Sequence, residues 1–114
     1  MENLECLFCN FGSGKIKVPF VYESEKVYAI NDISPQAPTH LLIIPKAHNE
    51  FVSGVGIDSP QTLAEMVKVA DSIAAERDLS GYRSVFNTGE SAGQSVFHAH
   101  LHLLGGRPFA WPPG

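Results

Sequence analysis

The stretch Phe97-His98-Ala99-His100-Leu101-His102-Leu103 alternates strictly between apolar residues and histidine. A period of two is the mark of a β-strand, in which successive side chains point to opposite faces. The alternation predicts a strand with His98, His100 and His102 on one face, at Cα spacings of about 6.5–7 Å. Phe97, Ala99, Leu101 and Leu103 would then face a core. Three of the chain's five histidines stand here. Imidazole changes charge near neutral pH and serves as nucleophile, proton donor or metal ligand. Three on one face therefore predict chemistry; a merely solvated face would more often carry Lys, Glu or Thr.

The rest of the chain supplies a frame for that strand. At 114 residues it is expected to form one domain, 1–114, burying about two thirds of its unfolded surface. Its net charge of −4 argues against nucleic acid as a partner, which would need a basic patch. Any anionic ligand must be held by local donors. No apolar run approaches the roughly 18 residues of a transmembrane helix, and the N-terminus has neither the basic start nor the apolar stretch of a signal peptide. No membrane association is expected, and a cytoplasmic location is. Phe20–Glu23 and Lys26–Asp32 read as short strands, Ser34-Pro35-Gln36-Ala37-Pro38 as a loop, and Leu41–Ile44 as a central strand stopped by Pro45. Ser59-Pro60 opens a helix as N-cap and first-turn proline. Leu63, Met66, Val67, Ala70, Ile73 and Ala74 then recur at helical spacing to about Asp78, with Gly81 closing the region. Tyr82–Asn87 is a further strand, and a loop of about eight residues, Thr88–Ser95, leads to the histidines. Strands, one long helix and strands again predict an α+β fold: an antiparallel sheet of about five strands with the helix on one face.

The loop Asn87-Thr88-Gly89-Glu90-Ser91-Ala92-Gly93-Gln94-Ser95 is rich in glycine and small hydroxyls, which lets backbone N–H groups approach an anion. Beside three histidines it suggests phosphoryl transfer. Cys6-Leu7-Phe8-Cys9 has several readings: a redox pair, buried thiols, or half of a zinc site needing two more ligands.

His98-Ala99-His100-Leu101-His102-Leu103-Leu104 resembles the signature of the histidine triad (HIT) family, His-φ-His-φ-His-φ-φ with φ apolar. Asn31 to His40, Ile44-Pro45-Lys46-Ala47-His48, Gly93 to His98 and the tail Gly105 to Gly114 are similar to the Hint-like branch, over about residue 20 to the end. The resemblance implies a purine nucleoside phosphoramidase or nucleotidyl hydrolase working through a nucleotidyl-histidine intermediate. His100 would be the nucleophile, His102 would contact a phosphate oxygen, and His40 would support the triad and a proton relay. Ser95 would bond the phosphate or leaving group. Asp32 would hold the ribose hydroxyls beside Ile33, and Asn87 with the backbone of Gly93 and Gln94 would hold the phosphate. It also implies a homodimer forming one continuous sheet, with the tail around Trp111 near the partner's site. Some relatives carry two N-terminal cysteines with the His after Ile-Pro-Lys-x and the first triad His. Cys6, Cys9, His48 and His98 fill those positions, implying a structural zinc; no organic cofactor is expected. Three other readings stay open: a diadenosine-polyphosphate hydrolase, against which Ser95 speaks, since that branch resembles a Gln-bearing pattern there; a nucleotide-binding scaffold with incidental activity; and a His-based metalloenzyme.

Overall fold

The computed structural model describes residues 5–114. Helix α1 (Leu7–Ser13) is followed by strands β1 (Tyr22–Glu23), β2 (Val27–Asn31) and β3 (Thr39–Pro45). Helices α2 (Val52–Asp58) and α3 (Pro60–Glu76) come next, then β4 (Tyr82–Val85), a 3-10 turn (Glu90–Ala92) and β5 (Leu101–Gly105). The strands form one antiparallel sheet in the order β1-β2-β3-β5-β4. The α+β expectation therefore holds.

The alternation of β3 decides which side chains go where. Leu41 and Ile43 join Val27, Ala29, Ala99, Leu101 and Leu103 against Met66, Val69, Ala70 and Ile73 of α3. Leu42 and Ile44 face the other way and join Tyr28, Ile30 and Phe8. That second face is not open, as one helix on one face would leave it. Helix α1 covers it, which the sequence did not announce. Seven residues holding a glycine, capped by Cys6, whose Sγ accepts the Cys9 N–H at 3.5 Å, carry little helical signal. Helix α2, with two glycines in seven residues, was also unforeseen. Gly54 there packs against Asn49: a Cβ would lie 2.7 Å from Asn49 Oδ1, so that side chain would have to shift.

Helix α3 begins where expected, but three details differ. Ser59 hydrogen-bonds the Thr62 hydroxyl at 2.6 Å instead of capping a backbone N–H, and its own N–H closes α2 on the Val55 carbonyl. The helix ends at Glu76 with Asp78 in the left-handed region (φ 53°), not at Gly81; aspartate tolerates that conformation. Val67 is half exposed (50%), while Val69 takes the core position (5%).

The largest correction concerns the histidine segment. β5 starts only at Leu101, so of the three histidines only His102 lies in the sheet, opposite Leu42 and Val85. Residues 86–100 form the β4–β5 connection, longer than the expected eight. Other bonds replace the ladder there. Ala99 N–H donates to the Asn49 carbonyl at 2.7 Å. The Gln94 side chain accepts from Gly89 N–H and donates to the Glu50 and Val96 carbonyls. The two-faced alternation survives from Ala99 onward, but Phe97 leaves the core to meet Phe51 edge-on on the surface.

Met66 sits fully buried between α3 and the sheet. Met66→Ala should cost about 2–5 kcal/mol by cavity formation, and Val67→Ala within about 0.5 kcal/mol, measured by denaturant unfolding. Equal costs would refute this helix register.

Candidate functional site

The geometry follows from which ring nitrogen of each histidine the backbone takes. A carbonyl only accepts and a peptide N–H only donates, so either partner fixes the tautomer of a neutral ring. His98 Nε2 lies 2.6 Å from the Pro45 carbonyl and must carry the proton, leaving Nδ1 as a lone pair. His100 Nδ1–H donates to the His98 carbonyl at 2.7 Å, leaving its Nε2 as the lone pair. At His40 the direction reverses: Gln36 N–H donates to Nδ1 at 3.0 Å, so the proton is on Nε2. That Nε2–H donates to His102 Nδ1 at 3.0 Å, and His102 must carry its own proton on Nε2. Diagonal placement on neighbouring strands brings these two rings together, since His40 faces Leu104 and His102 faces Leu42.

Burial favours the neutral form of the three triad rings. His98 is pushed down to about 4, chiefly by burial, with His48 and His100 adding to the effect. His102 is also pushed down to about 4 by burial and by His100 and His40, against the pull of Asp32. Burial lowers His100 as well, opposed by its bond to the His98 carbonyl and by Asp32.

Two clusters bring together side chains of metal-ligating type, and the tautomers separate them. Around His98 Nδ1 lie Cys6 Sγ at 3.3 Å, Cys9 Sγ at 3.5 Å and His48 Nδ1 at 3.1 Å; Cys9 Sγ is also 3.4 Å from His48 Nδ1. Tetrahedral zinc with Zn–N near 2.0 Å and Zn–S near 2.3 Å requires N–N and N–S edges of about 3.3 and 3.5 Å. The four donors of these elements, two from the start of α1, one from the loop after β3 and one ahead of β5, meet that requirement. The second cluster is Asp32, His40 and His102. There His40 Nε2 bears a proton because Nδ1 is taken by a peptide N–H, so it offers no lone pair to an ion. This cluster is a hydrogen-bonded support.

The lone pair of His100 and the Nε2–H of His102 belong to residues that line a cavity of about 300 Å³. Asp32, Ile33, Gly93 and Ser95 line it too, with an apolar wall of Leu7, Phe8, Phe11, Ile30, Leu42 and Val96. Ile33 stands at the lip, 99% exposed. The Ser95 hydroxyl makes no hydrogen bond among the described residues and is exposed. Asp32 Oδ1 accepts the Ser34 N–H at 2.8 Å and Oδ2 lies 3.4 Å from His40 Nε2, with lone pairs left over.

Two expectations change in their detail. The backbone N–H groups of Gly93 and Gln94 close the 3-10 turn onto the Glu90 and Gly89 carbonyls, and the Gln94 side chain braces the loop, so neither is a free phosphate donor. Asn87 does not line the cavity; its amide lies behind Gly93, 3.8 Å from where a Cβ there would stand. The wall from α1 was not foreseen. Leu7, Phe8 and Phe11 are three apolar residues spaced for one face of a short helix, which was the available signal. Phe8 lies between the two cysteines and meets the rings of His98 and His100 edge-on, at 6.0 and 5.0 Å between centroids.

A family model described as HIT domain matches residues 13–109. The chain is 43% identical over 106 residues to the purine nucleoside phosphoramidase of Escherichia coli K12, covering 91% of this chain and 89% of that one. It is 48% identical over 117 residues to the 14 kDa zinc-binding protein of Zea mays, covering 100% and 91%. The crystal structure of a HIT family hydrolase from Legionella pneumophila Philadelphia 1 superposes with a TM-score of 0.91 at 48% identity, covering 96% of this chain and 100% of that one.

His102 is neutral in the folded chain down to about pH 4, against 6.5 for an ordinary histidine. Below about pH 6.5 the unfolded chain binds the extra proton and the folded chain does not, so stability is complete above that pH and falls toward pH 4. Denaturant midpoints measured across this range should decline, and His102→Gln should remove part of the slope. A slope identical in the variant would contradict the buried, neutral ring.

Proposed function

The chain belongs to the HIT domain family, and we propose that within it the protein is a purine nucleoside phosphoramidase, acting through a nucleotidyl-histidine intermediate and carrying a structural zinc. The observation that carries the reading is the pairing of an unprotonated His100 Nε2 with a protonated His102 Nε2 beside one half-apolar cavity. A nucleophile and an oxyanion donor on the same side of a base-sized recess suit attack at a nucleotide's α-phosphorus.

In this reading the purine lies against Leu7, Phe8, Phe11 and Ile30, and Asp32 accepts from the ribose hydroxyls. His100 Nε2 attacks phosphorus while the His102 Nε2–H meets a non-bridging oxygen. As that bond forms the phosphorus–nitrogen bond breaks, and the amine departs hydrogen-bonded by the Ser95 hydroxyl and protonated from water; a second water then cleaves the phosphorus–His100 bond and frees the nucleoside monophosphate and the imidazole. His40 has a narrower part than a proton relay. Its far nitrogen accepts from a peptide N–H, which does not pass protons on, so it holds the His102 tautomer. The zinc, held by Cys6, Cys9, His48 and His98, would tie α1 to the histidine segment without touching the substrate. The phosphoramidase relative and the zinc-binding relative support these two parts separately.

The edges of the sheet are β1 and β4. Pairing of β4 with its copy would hide unsatisfied backbone groups and join two sheets into one. Trp111 is 84% exposed at the end of a tail that Arg83 and Arg107 hold through Phe109 and the Ala110 and Pro108 carbonyls. It would then lie near the partner's cavity.

His100→Ala should lower kcat on adenosine and guanosine phosphoramidates on the order of 10³-fold or more and leave nucleoside monophosphate binding nearly intact. An acid-labile adduct trapped on the wild type should map to His100. A panel that includes diadenosine polyphosphates tests the class: preference for these over phosphoramidates would replace the reading with the hydrolase alternative. Cys6→Ser with Cys9→Ser should lose the metal and, with it, several kcal/mol of stability. Metal analysis finding no zinc in wild-type protein prepared without chelators would refute the metal part. Light scattering should give a dimeric mass.

A further inference from the structure

The hydrogen-bond chain through His40 and His102 begins at the N–H of Gln36, and Gln36 has an anchor outside the site. Arg107 Nε–H donates to the Gln36 carbonyl at 3.0 Å. The guanidinium is held at two further points: its Nη1 donates to the Pro108 carbonyl at 3.0 Å, and its carbon lies 4.3 Å from the centroid of Phe109. Three contacts fix a planar group in orientation as well as position.

The loop it grips is closed on itself. Asp32 N–H donates to the His40 carbonyl at 2.9 Å, Ser34 N–H to Asp32 Oδ1 at 2.8 Å, and Gln36 Nε2 to the Ser34 carbonyl at 2.9 Å. Gly106 adopts a φ of 91°, and a Cβ there would meet Pro38 at 3.0 Å, so the turn before Arg107 lies flush against the loop. The Gln36 N–H and carbonyl belong to consecutive peptide groups that meet at its Cα. A bond to the carbonyl therefore restrains the Cα from which the N–H reaches the His40 ring.

We propose that Arg107 is a positioning residue for His102: by clamping the Gln36 carbonyl it keeps the Gln36 N–H on His40 and so maintains the tautomer that aims the His102 Nε2–H at the substrate. The two neutral tautomers of a histidine differ little in water, so the environment decides between them. If His40 moved its proton to Nδ1, its Nε2 would become an acceptor. His102 would then donate from Nδ1 and present a lone pair where a phosphate oxygen must sit. The catalytic half of this proposal rests on the phosphoramidase reading; the tautomer half does not.

The test uses the full chain with Arg107→Met, which keeps the aliphatic stem and removes the donors. Long-range proton–nitrogen correlation spectra of the wild type should show His40 protonated at Nε2 and bare at Nδ1. In the variant His40 should become a mixture of tautomers, with kcat lowered about 10-fold and KM for the nucleotide little changed. Phe109→Leu, which removes the ring but not the bond to Gln36, should keep the wild-type His40 pattern. If Arg107→Met does not fold, Arg107→Leu, which likewise carries no donor, is read in the same way. An unchanged His40 pattern or an unchanged kcat in a folded variant overturns the assignment. Absence of phosphoramidase turnover in the wild type would instead refute the functional reading, with the His40 pattern still deciding the positioning claim.

Discussion

The site depends on backbone groups that each occupy one nitrogen of a histidine ring. The Pro45 carbonyl at His98, the His98 carbonyl at His100 and the Gln36 N–H at His40 leave the opposite nitrogen with a defined character. A lone pair faces the thiols, another belongs to a cavity-lining ring, and a proton stands beside it. The same side-chain type thus takes three roles, and the difference lies in main-chain partners set by the fold. Burial reinforces this in the triad by favouring the uncharged ring, because a protonated ring would have two donors and no lone pair.

Much of this was legible in the residue order. The alternation through the histidines separated the core side from the chemical side, since period two is imposed by strand geometry before any tertiary contact exists. The Cys-x-x-Cys pair with His48 and His98 was assembled through family resemblance, and the four donor atoms do converge. What was hidden has physical reasons. Helix α1 is short, glycine-bearing and capped by a thiol, so it exists because Phe8 and Phe11 cover the sheet, a tertiary cause that no local propensity records. The strand's late start reflects Ala99 bonding to Asn49, a partner fifty residues away. The Gly93 and Gln94 N–H groups looked free because a glycine-rich loop does not reveal that it will fold into a 3-10 turn and consume them.

The tautomer of His40 was the least visible feature. Nothing in Pro35-Gln36-Ala37-Pro38 signals that a peptide N–H will meet an imidazole, and either ring nitrogen could have served. The two prolines restrict the loop on both sides of Gln36, which is what makes a single N–H a dependable donor. Sequence reading finds side chains well and main-chain donors poorly, because every residue but proline carries the latter.

Helix α1 is two turns of chain with two masters. Cys6 and Cys9 point their sulfurs at His98, while Leu7 and Phe8 between them, with Phe11, form the cavity wall. Because the wall and the thiols share a backbone, a bulkier or smaller residue at the buried position 8 would tilt the donors as it reshaped the recess. Drift in what the recess accepts is therefore closed off along its α1 side. It is left to Ile33, which touches solvent almost everywhere and can be exchanged without disturbing any other part of the molecule. Divergence of ligand preference among such chains should accumulate at the lip and spare the wall.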